Sequence, residues 1–371
     1  MANRPFELVL HVTHDCNMRC SYCYAGRPRP SRMSLETARQ ALNLAHDFGG
    51  QFPELVVGFF GGEPLLCFDS IVEFTHEAEM ASHLWNWPLR LVMTTNGTLL
   101  TDERAAWMAL YGFEVTVSLD GAADSHDQQR VFAGGRPSHE RVVDGIRALL
   151  RHTESVRVAM TVTPATAGHL VENLDHVREL GVSEIHVTPD YSSLGWTPAA
   201  RRTLRRQLAE ASRYYARHFA RLTIPPLDEK VCARIDPDGA WPCGFGWAKL
   251  AVSAEGNLYG CERMVAQDDD PRLRVGNVYD GLDEQKLIAL RRQADLTSDG
   301  CGGCDVERQC QHRCACVNLA RTGEIGRPDD FVCFYERGRI HAAGLLASEL
   351  VRRRSAARMP AMVLQEEACH V

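Results

Sequence analysis

Cys16, Cys20 and Cys23 follow one another as C-x3-C-x2-C, directly after the first apolar run of the chain. Three thiolates on one tight loop can hold three irons of a [4Fe–4S] cube and leave the fourth iron without a protein ligand. A cluster that only relays electrons is normally held by four cysteines. One left a ligand short has an open iron where a small molecule can bind, as an open coordination position does in catalytic metal sites. Zinc is a competing reading: it more often takes paired C-x2-C units with a fourth Cys or His, and His11 and His14 stand close by. A disulfide is a further alternative, but no secretory signal precedes the triplet.

Other residues carry chemistry at similar intervals. In Phe59-Phe60-Gly61-Gly62-Glu63-Pro64, Gly61 and Gly62 would let a ligand approach the backbone closely. Glu63 offers an anionic acceptor, and Pro64 stiffens the turn. Thr94-Thr95-Asn96-Gly97 and Ser118-Leu119-Asp120-Gly121 set small polar groups at two further strand ends, and His126 and Arg130 follow. Each of these, taken singly, is also ordinary turn chemistry. A second cysteine set reads Cys243-x12-Gly256-x4-Cys261, then Cys301-x2-Cys304-x5-Cys310-x3-Cys314, then Cys333. A zinc ribbon or knuckle competes for Cys301–Cys314. Glu262 directly follows Cys261. Partly desolvated beside a metal it could serve as a base, or it could simply pair with Arg263.

The elements that must position these residues alternate. Apolar runs of strand length lie at Glu7–Val12, Glu54–Phe60, Leu89–Thr94, Glu114–Ser118, Val156–Val162 and Glu184–Thr188. Segments of helical period separate them at Ser34–Phe48, Phe68–Leu84, Thr101–Leu110, Ser138–His152 and Ala167–Leu180. The first is the clearest, with Leu35, Ala38, Leu42 and Ala45 on one face, Ser34 as N-cap and Gly49-Gly50 as stop. Six βα units in series predict a parallel sheet covered by helices, with chemistry at the C-terminal strand ends, where the Cys16 loop lies. Thr197–Leu222 reads as a long amphipathic helix with Arg201, Arg202, Arg205, Arg206, Arg213, Arg217 and Arg221 on its outer face. That face is either simply solvated or a dock for an acidic leader peptide. Ile224-Pro225-Pro226-Leu227 reads as a chain break at a domain boundary, and the tail past Val351 as poorly tied down.

Composition bounds the function classes. The 371 residues are 45% hydrophobic and 24% charged, ordinary for a globular chain with one large and one small domain. A net charge of −7 argues against general nucleic-acid binding. No stretch is long and apolar enough to span a bilayer, so the expected location is cytoplasmic. Fourteen cysteines without an export signal point to metal rather than disulfides. Cys67, Cys232 and Cys369 stand outside the two spaced sets and read as free thiols.

The run Cys16–Tyr24 together with Gly61–Pro64 resembles the radical S-adenosylmethionine (SAM) superfamily, and the C-terminal cysteines resemble its SPASM branch. The resemblance implies an open partial (β/α)6 barrel over residues 1–222. A bridging segment over 223–238, a Cys-rich SPASM domain over 239–345 and a helix end and tail over 346–371 would follow. It implies three [4Fe–4S] clusters. Cys16, Cys20 and Cys23 would hold the one whose open iron chelates SAM, whose reductive cleavage yields a 5′-deoxyadenosyl radical. Cys243, Cys261 and Cys314 would belong to auxiliary cluster I, and Cys301, Cys304, Cys310 and Cys333 to cluster II. Gly61, Gly62, Glu63 and Pro64 would bind the SAM amino group, Ser118 and Arg130 its carboxylate, and Tyr24 would pack on the adenine, with Asn96 a further contact. The chain is most similar to maturases of ribosomally made peptides, which implies a thioether or carbon–carbon crosslink on a precursor peptide. It also resembles anaerobic sulfatase maturases, so formylglycine formation stays open, as does dehydrogenation or other modification of a small molecule. A non-catalytic iron–sulfur scaffold would leave Gly61–Pro64 and Arg130 without a task. Two departures stand out. Where sulfatase maturases complete cluster I with a further cysteine, near Lys249, this chain has none, so that cluster keeps an open iron or borrows Cys232 or Cys316. Where they place a catalytic Asp, this chain has Glu262. A flavodoxin or ferredoxin is the implied electron donor. The first strand starts near residue 6 and leaves no room for a leader-binding wing, so the Arg201–Arg221 helix or a separate leader-binding protein would take that role, or no leader is used at all.

Overall fold

The computed structural model describes residues 4–235, 243–295, 301–310 and 314–357. Residues 236–242 of the joining segment and the tail from residue 358, with Cys369, lie outside them. In chain order the first elements are β1 (Phe6–Thr13), α1 (Leu35–Gly49), β2 (Leu55–Gly61), α2 (Phe68–Trp85), β3 (Leu89–Thr95), α3 (Asp102–Leu110) and β4 (Glu114–Ser118). Then come α4 (Ala123–His126), α5 (His139–Leu150), β5 (Val156–Val162), α6 (Leu170–Glu179), β6 (Glu184–Pro189), α7 (Pro198–His218) and α8 (Pro225–Ile235). The remainder is β7 (Lys249–Val252), β8 (Leu258–Tyr259), α9 (Glu262–Val265), β9 (Gly276–Asn277), β10 (Gly281–Leu282), α10 (Glu284–Asp295), α11 (Ala315–Thr322) and α12 (Asp330–Ala357).

These elements form two compact units. The first comprises Met1–Ser118, Asp127–Val156 and Gly244–Asp295; the second comprises Leu119–His126, Arg157–Cys243 and Leu296–Val371. In the first unit the strands run in the order β4-β3-β2-β1-β7-β8. β1 is parallel to both β2 and β7, with Leu8 opposite Val57 and Leu250. Phe6, Leu8, Val9, Leu10 and Val12 are all buried, the near-continuous apolar run expected of a parallel strand covered on both faces. α1 begins where Ser34 accepts a hydrogen bond from the Thr37 amide, ends at Gly49-Gly50 and buries Ala38, Ala41, Leu42 and Ala45. β7, a strand of four residues without a sequence signal of its own, pairs with β1 and so brings Lys249–Val252 into the sheet of the first unit.

In the second unit β5 and β6 pair in parallel from Arg157 opposite Glu184, and α7 and α8 pack against α12. Three expectations are corrected here. Pro225-Pro226 opens α8 rather than breaking the chain, because proline in a first helical turn gives up no amide that the helix needs. α12 continues to Ala357, so the chain just past Val351 is helical. The arginine face of α7 is partly spent inside the unit: Arg201 pairs with Asp330 at 2.7 Å and lies over Phe331, and Arg205 lies over Phe334. Arg201 and Arg205 are therefore not part of a simply solvated face. No helix among the described residues is long and apolar enough to cross a membrane.

Candidate active site

The Cys16–Cys23 loop leaves the C-terminal end of β1 in the first unit and is fastened on two sides. On one side the Gly62 amide donates to Thr13 O (2.9 Å) and the Glu63 amide to Asp15 O (2.8 Å). The glycines are required by this approach. A Cβ on Gly61, whose φ is +135°, would sit 2.2 Å from Thr13 O, and one on Gly62 2.2 Å from Asp15 O. The two glycines thus admit the chain's own cysteine loop at close range. On the other side the Arg19 amide donates to Val131 O (2.8 Å), the Ser21 amide to Gln129 O (2.9 Å) and the Ala133 amide to Asn17 O (2.9 Å).

Glu63 is fully buried, and its carboxylate accepts from Thr95 Oγ1 (2.7 Å), the Asn96 amide (2.7 Å) and the Leu65 amide (3.0 Å). Burial pushes its pKa up, and the three donors oppose that. The carboxylate therefore locks the ends of β2 and β3 together. Asn96 Nδ2 donates to Asn17 Oδ1 (2.8 Å) and lies 4.0 Å from Cys16 Sγ; Asn17 Nδ2 in turn donates to Thr98 Oγ1 (2.9 Å). Arg130 reaches Cys20 Sγ at 3.9 Å and lies over the Tyr22 ring. Ser118 ends β4, half-buried. The Gly61–Glu63 turn, Asn96 and Arg130 thus converge on the cysteine loop. Asn17, Thr95 and Thr98 complete the network; Thr95 stands in the Thr94–Gly97 segment, whereas Asn17 and Thr98 give no sequence signal for such a role.

Three thiols on one loop, with side-chain N–H groups near two of the sulfurs, fit a soft iron–sulfur cluster better than a hard cation. Burial pushes the Cys16 thiol up to about 12, and neighbouring Glu63, Cys20 and Cys23 add to this. A bound metal is what would draw such protons off.

Farther along the same unit, Tyr24 stacks on Phe60 and carries the Arg263 guanidinium 4.1 Å above its ring. Glu262 pairs with Lys249 (3.3 Å), which also holds Glu7 at 2.6 Å. The ion-pair alternative for Glu262 thus has Lys249 as its partner. Burial works to raise the Glu262 pKa, but Lys249 and the local hydrogen bonds prevail and hold it down at about 2. Glu262 Oε2 lies 3.5 Å from Cys261 Sγ.

Of the C-terminal cysteines, Cys261 lies in the first unit, and Cys243, Cys301, Cys304, Cys310, Cys314 and Cys333 in the second. Within the second unit, burial and then the proximity of Cys301 and Cys304 raise the Cys333 pKa. Arg337 donates to Cys304 Sγ at 3.3 Å, and Cys314 and Cys316 bring their sulfurs to 3.5 Å.

Residues 10–180 match the radical SAM superfamily. An uncharacterized protein of Methanocaldococcus jannaschii is 28% identical over 48% of this chain, and the match spans 60% of its length. The antilisterial bacteriocin subtilosin biosynthesis protein AlbA of Bacillus subtilis is 24% identical over 81% of this chain and 67% of its own. The serine-type anaerobic sulfatase-maturating enzyme of Klebsiella aerogenes is 24% identical over 86% and 82%. Among solved structures, native anSMEcpe with bound AdoMet superposes with a TM-score of 0.76 at 17% identity, covering 95% of this chain and 100% of that one. SuiB of Streptococcus suis bound to precursor peptide SuiA gives 0.65 at 17% identity, covering 90% and 76%. These two likenesses show the fold.

Proposed function

From the match of residues 10–180 to the radical SAM superfamily, we propose that this chain is a radical SAM enzyme that matures a ribosomally made precursor peptide by hydrogen abstraction, leaving a thioether or carbon–carbon crosslink. The observation that carries the reading is the cysteine loop clamped onto the Gly61–Glu63 turn, joined to a likeness that extends past the domain to a bacteriocin biosynthesis protein. Cys16, Cys20 and Cys23 hold the cluster, which when loaded supplies the electron that cleaves SAM. Asn96 and Arg130 direct side-chain N–H groups toward the Cys16 and Cys20 sulfurs that would hold it. Glu63 keeps two strand ends rigid so that the loop does not shift, and the Gly61–Pro64 backbone, Ser118, Arg130 and Tyr24 position the SAM moieties. The protein's task is to hold the target C–H and keep water from the radical.

In this reading Cys243, Cys261 and Cys314 serve auxiliary cluster I, with Cys316 beside Cys314 as its additional thiol. Cys301, Cys304, Cys310 and Cys333 serve cluster II. A flavodoxin or ferredoxin supplies electrons, and a separate protein presents the leader.

The test is anaerobic incubation with SAM, dithionite and the short peptide encoded beside the gene, read by product mass. A loss of two hydrogens with a new crosslink is expected; SAM cleavage with an unchanged peptide overturns the reading. A second reading, formylglycine formation, has the Klebsiella likeness in its favour. It predicts an aldehyde on a Cys- or Ser-containing sulfatase peptide. Glu262 tells against it, since a carboxylate held near pKa 2 by Lys249 is a poor proton acceptor at neutral pH. SAM cleavage that needs no peptide would favour a small-molecule substrate.

A further inference from the structure

His14 stands two residues before Cys16, and its imidazole takes no part in the cysteine loop's hydrogen bonding. Its side chain is 4% exposed, and its Nε2 makes no hydrogen bond; the facing acceptor is Glu255 Oε2 at 3.4 Å. Glu255 lies in the turn between β7 and β8, and Asp268 follows α9; both belong to the same unit as His14. One donor atom from each of the three residues lies within 4.8 Å of the others.

The surroundings orient these donors from outside. Arg29 takes Glu255 Oε1 at 2.6 Å and so leaves Oε2 facing His14. Asp268 is held by Tyr259 OH (2.7 Å) and Asn257 Nδ2 (3.1 Å), and Asn257 is itself fixed by Asn277 Nδ2 (3.0 Å). Outer-shell bonds of this kind set the direction of metal-ligating carboxylates. The charges do not balance: two carboxylates face one guanidinium.

We propose that His14, Glu255 and Asp268 form a binding site for one divalent transition-metal cation, separate from the cysteine clusters. One imidazole nitrogen with two carboxylate oxygens suits Mn(II), Fe(II) or Zn(II) rather than Mg(II) or Ca(II). Neighbouring donors around such an ion stand roughly 3–3.5 Å apart, and His14 Nε2 and Glu255 Oε2 already lie at 3.4 Å. The ion ties the base of the Cys16 loop to the β7–β8 turn, which makes it a staple for the loop rather than a reaction centre.

The experiment is an anaerobic titration of the full chain, clusters loaded and oxidised, with Mn(II), followed by the electron paramagnetic resonance of the free ion. Mn(II) is the probe because it favours oxygen donors over thiolates. One equivalent should bind, with affinity falling roughly tenfold or more in Glu255→Gln and in Asp268→Asn. Glu255 is 40% exposed, so its substitution leaves the fold intact and carries the test if Asp268→Asn does not fold. A wild-type chain that leaves the free-ion signal undiminished, or one equivalent bound equally well by Glu255→Gln, overturns the site. Neither result bears on peptide maturation.

Discussion

The Cys16–Cys23 loop and the Cys301–Cys310 segment both present cysteines at short intervals, and the protein holds them by opposite means. The first is pinned by backbone bonds to residues far away in sequence, at Gly62, Glu63, Gln129 and Val131. The second is held largely by its own turns, Cys304 N to Cys301 O, Glu307 N to Cys304 O and Cys310 N to Glu307 O, with Lys230 Nζ on Gln309 O and Arg337 on Cys304 Sγ as outside supports. A loop fixed by a sheet is arranged before any metal arrives. A segment fixed by turns gains most of its order from what its sulfurs bind.

The contrast can be broken in several ways. The largest effect should come from Cys16→Ala: 5′-deoxyadenosine release, followed by chromatography, should fall to background while the chain stays folded. Undiminished release would end the account of the loop. Next, stripping metal anaerobically should raise amide exchange strongly over residues 301–310 and little over residues 16–23; equal loss in both would erase the distinction. Gly62→Ala attacks the loop's fastening alone. Its Cβ has backbone within 2.2 Å, so a stability loss of about 3 kcal/mol in chemical denaturation is expected, with less iron retained at the first site. The smallest effect concerns Glu262. Its folded pKa is depressed to about 2, so its contribution is present above the ordinary glutamate range and is lost as pH falls toward 2. Glu262→Gln should remove on the order of 1–2 kcal/mol at neutral pH and flatten the acid limb of the stability profile; an unchanged limb would show the Lys249 pair to be inert.

How much of this was legible depends on how local each signal is. The six strands β1 to β6 could be read to within a residue or so, because runs such as Leu8–Val12 must be largely apolar when both faces are covered. α1 could be read from its Ser34 cap and Gly49-Gly50 stop. The cysteine loop could be read because spacing is a local property. The contents of the Glu63 pocket could not, because Thr95 and Asn96 meet it only once β2 and β3 lie side by side. Nor could Lys249 be read as the partner of Glu262, or Glu255 and Asp268 as neighbours of His14. These contacts depend on β7 joining β1, a strand of four residues pairing across some 240 positions, for which no short-range pattern exists. Pro225-Pro226 misled because the same dipeptide that ends one helix is well suited to begin another.

That late strand has a consequence for how the chain can be made and cut. With β7 in place β1 is an interior strand; without it, the row of amides and carbonyls from Glu7 to Leu10 that meets Lys249–Val252 has no mate. During synthesis that rim stays bare until roughly two-thirds of the polypeptide has emerged, a long exposure for a flat, greasy template. A fragment stopped at residue 222, however natural a cut it looks on paper, would carry the same raw rim permanently and should clump rather than stand alone.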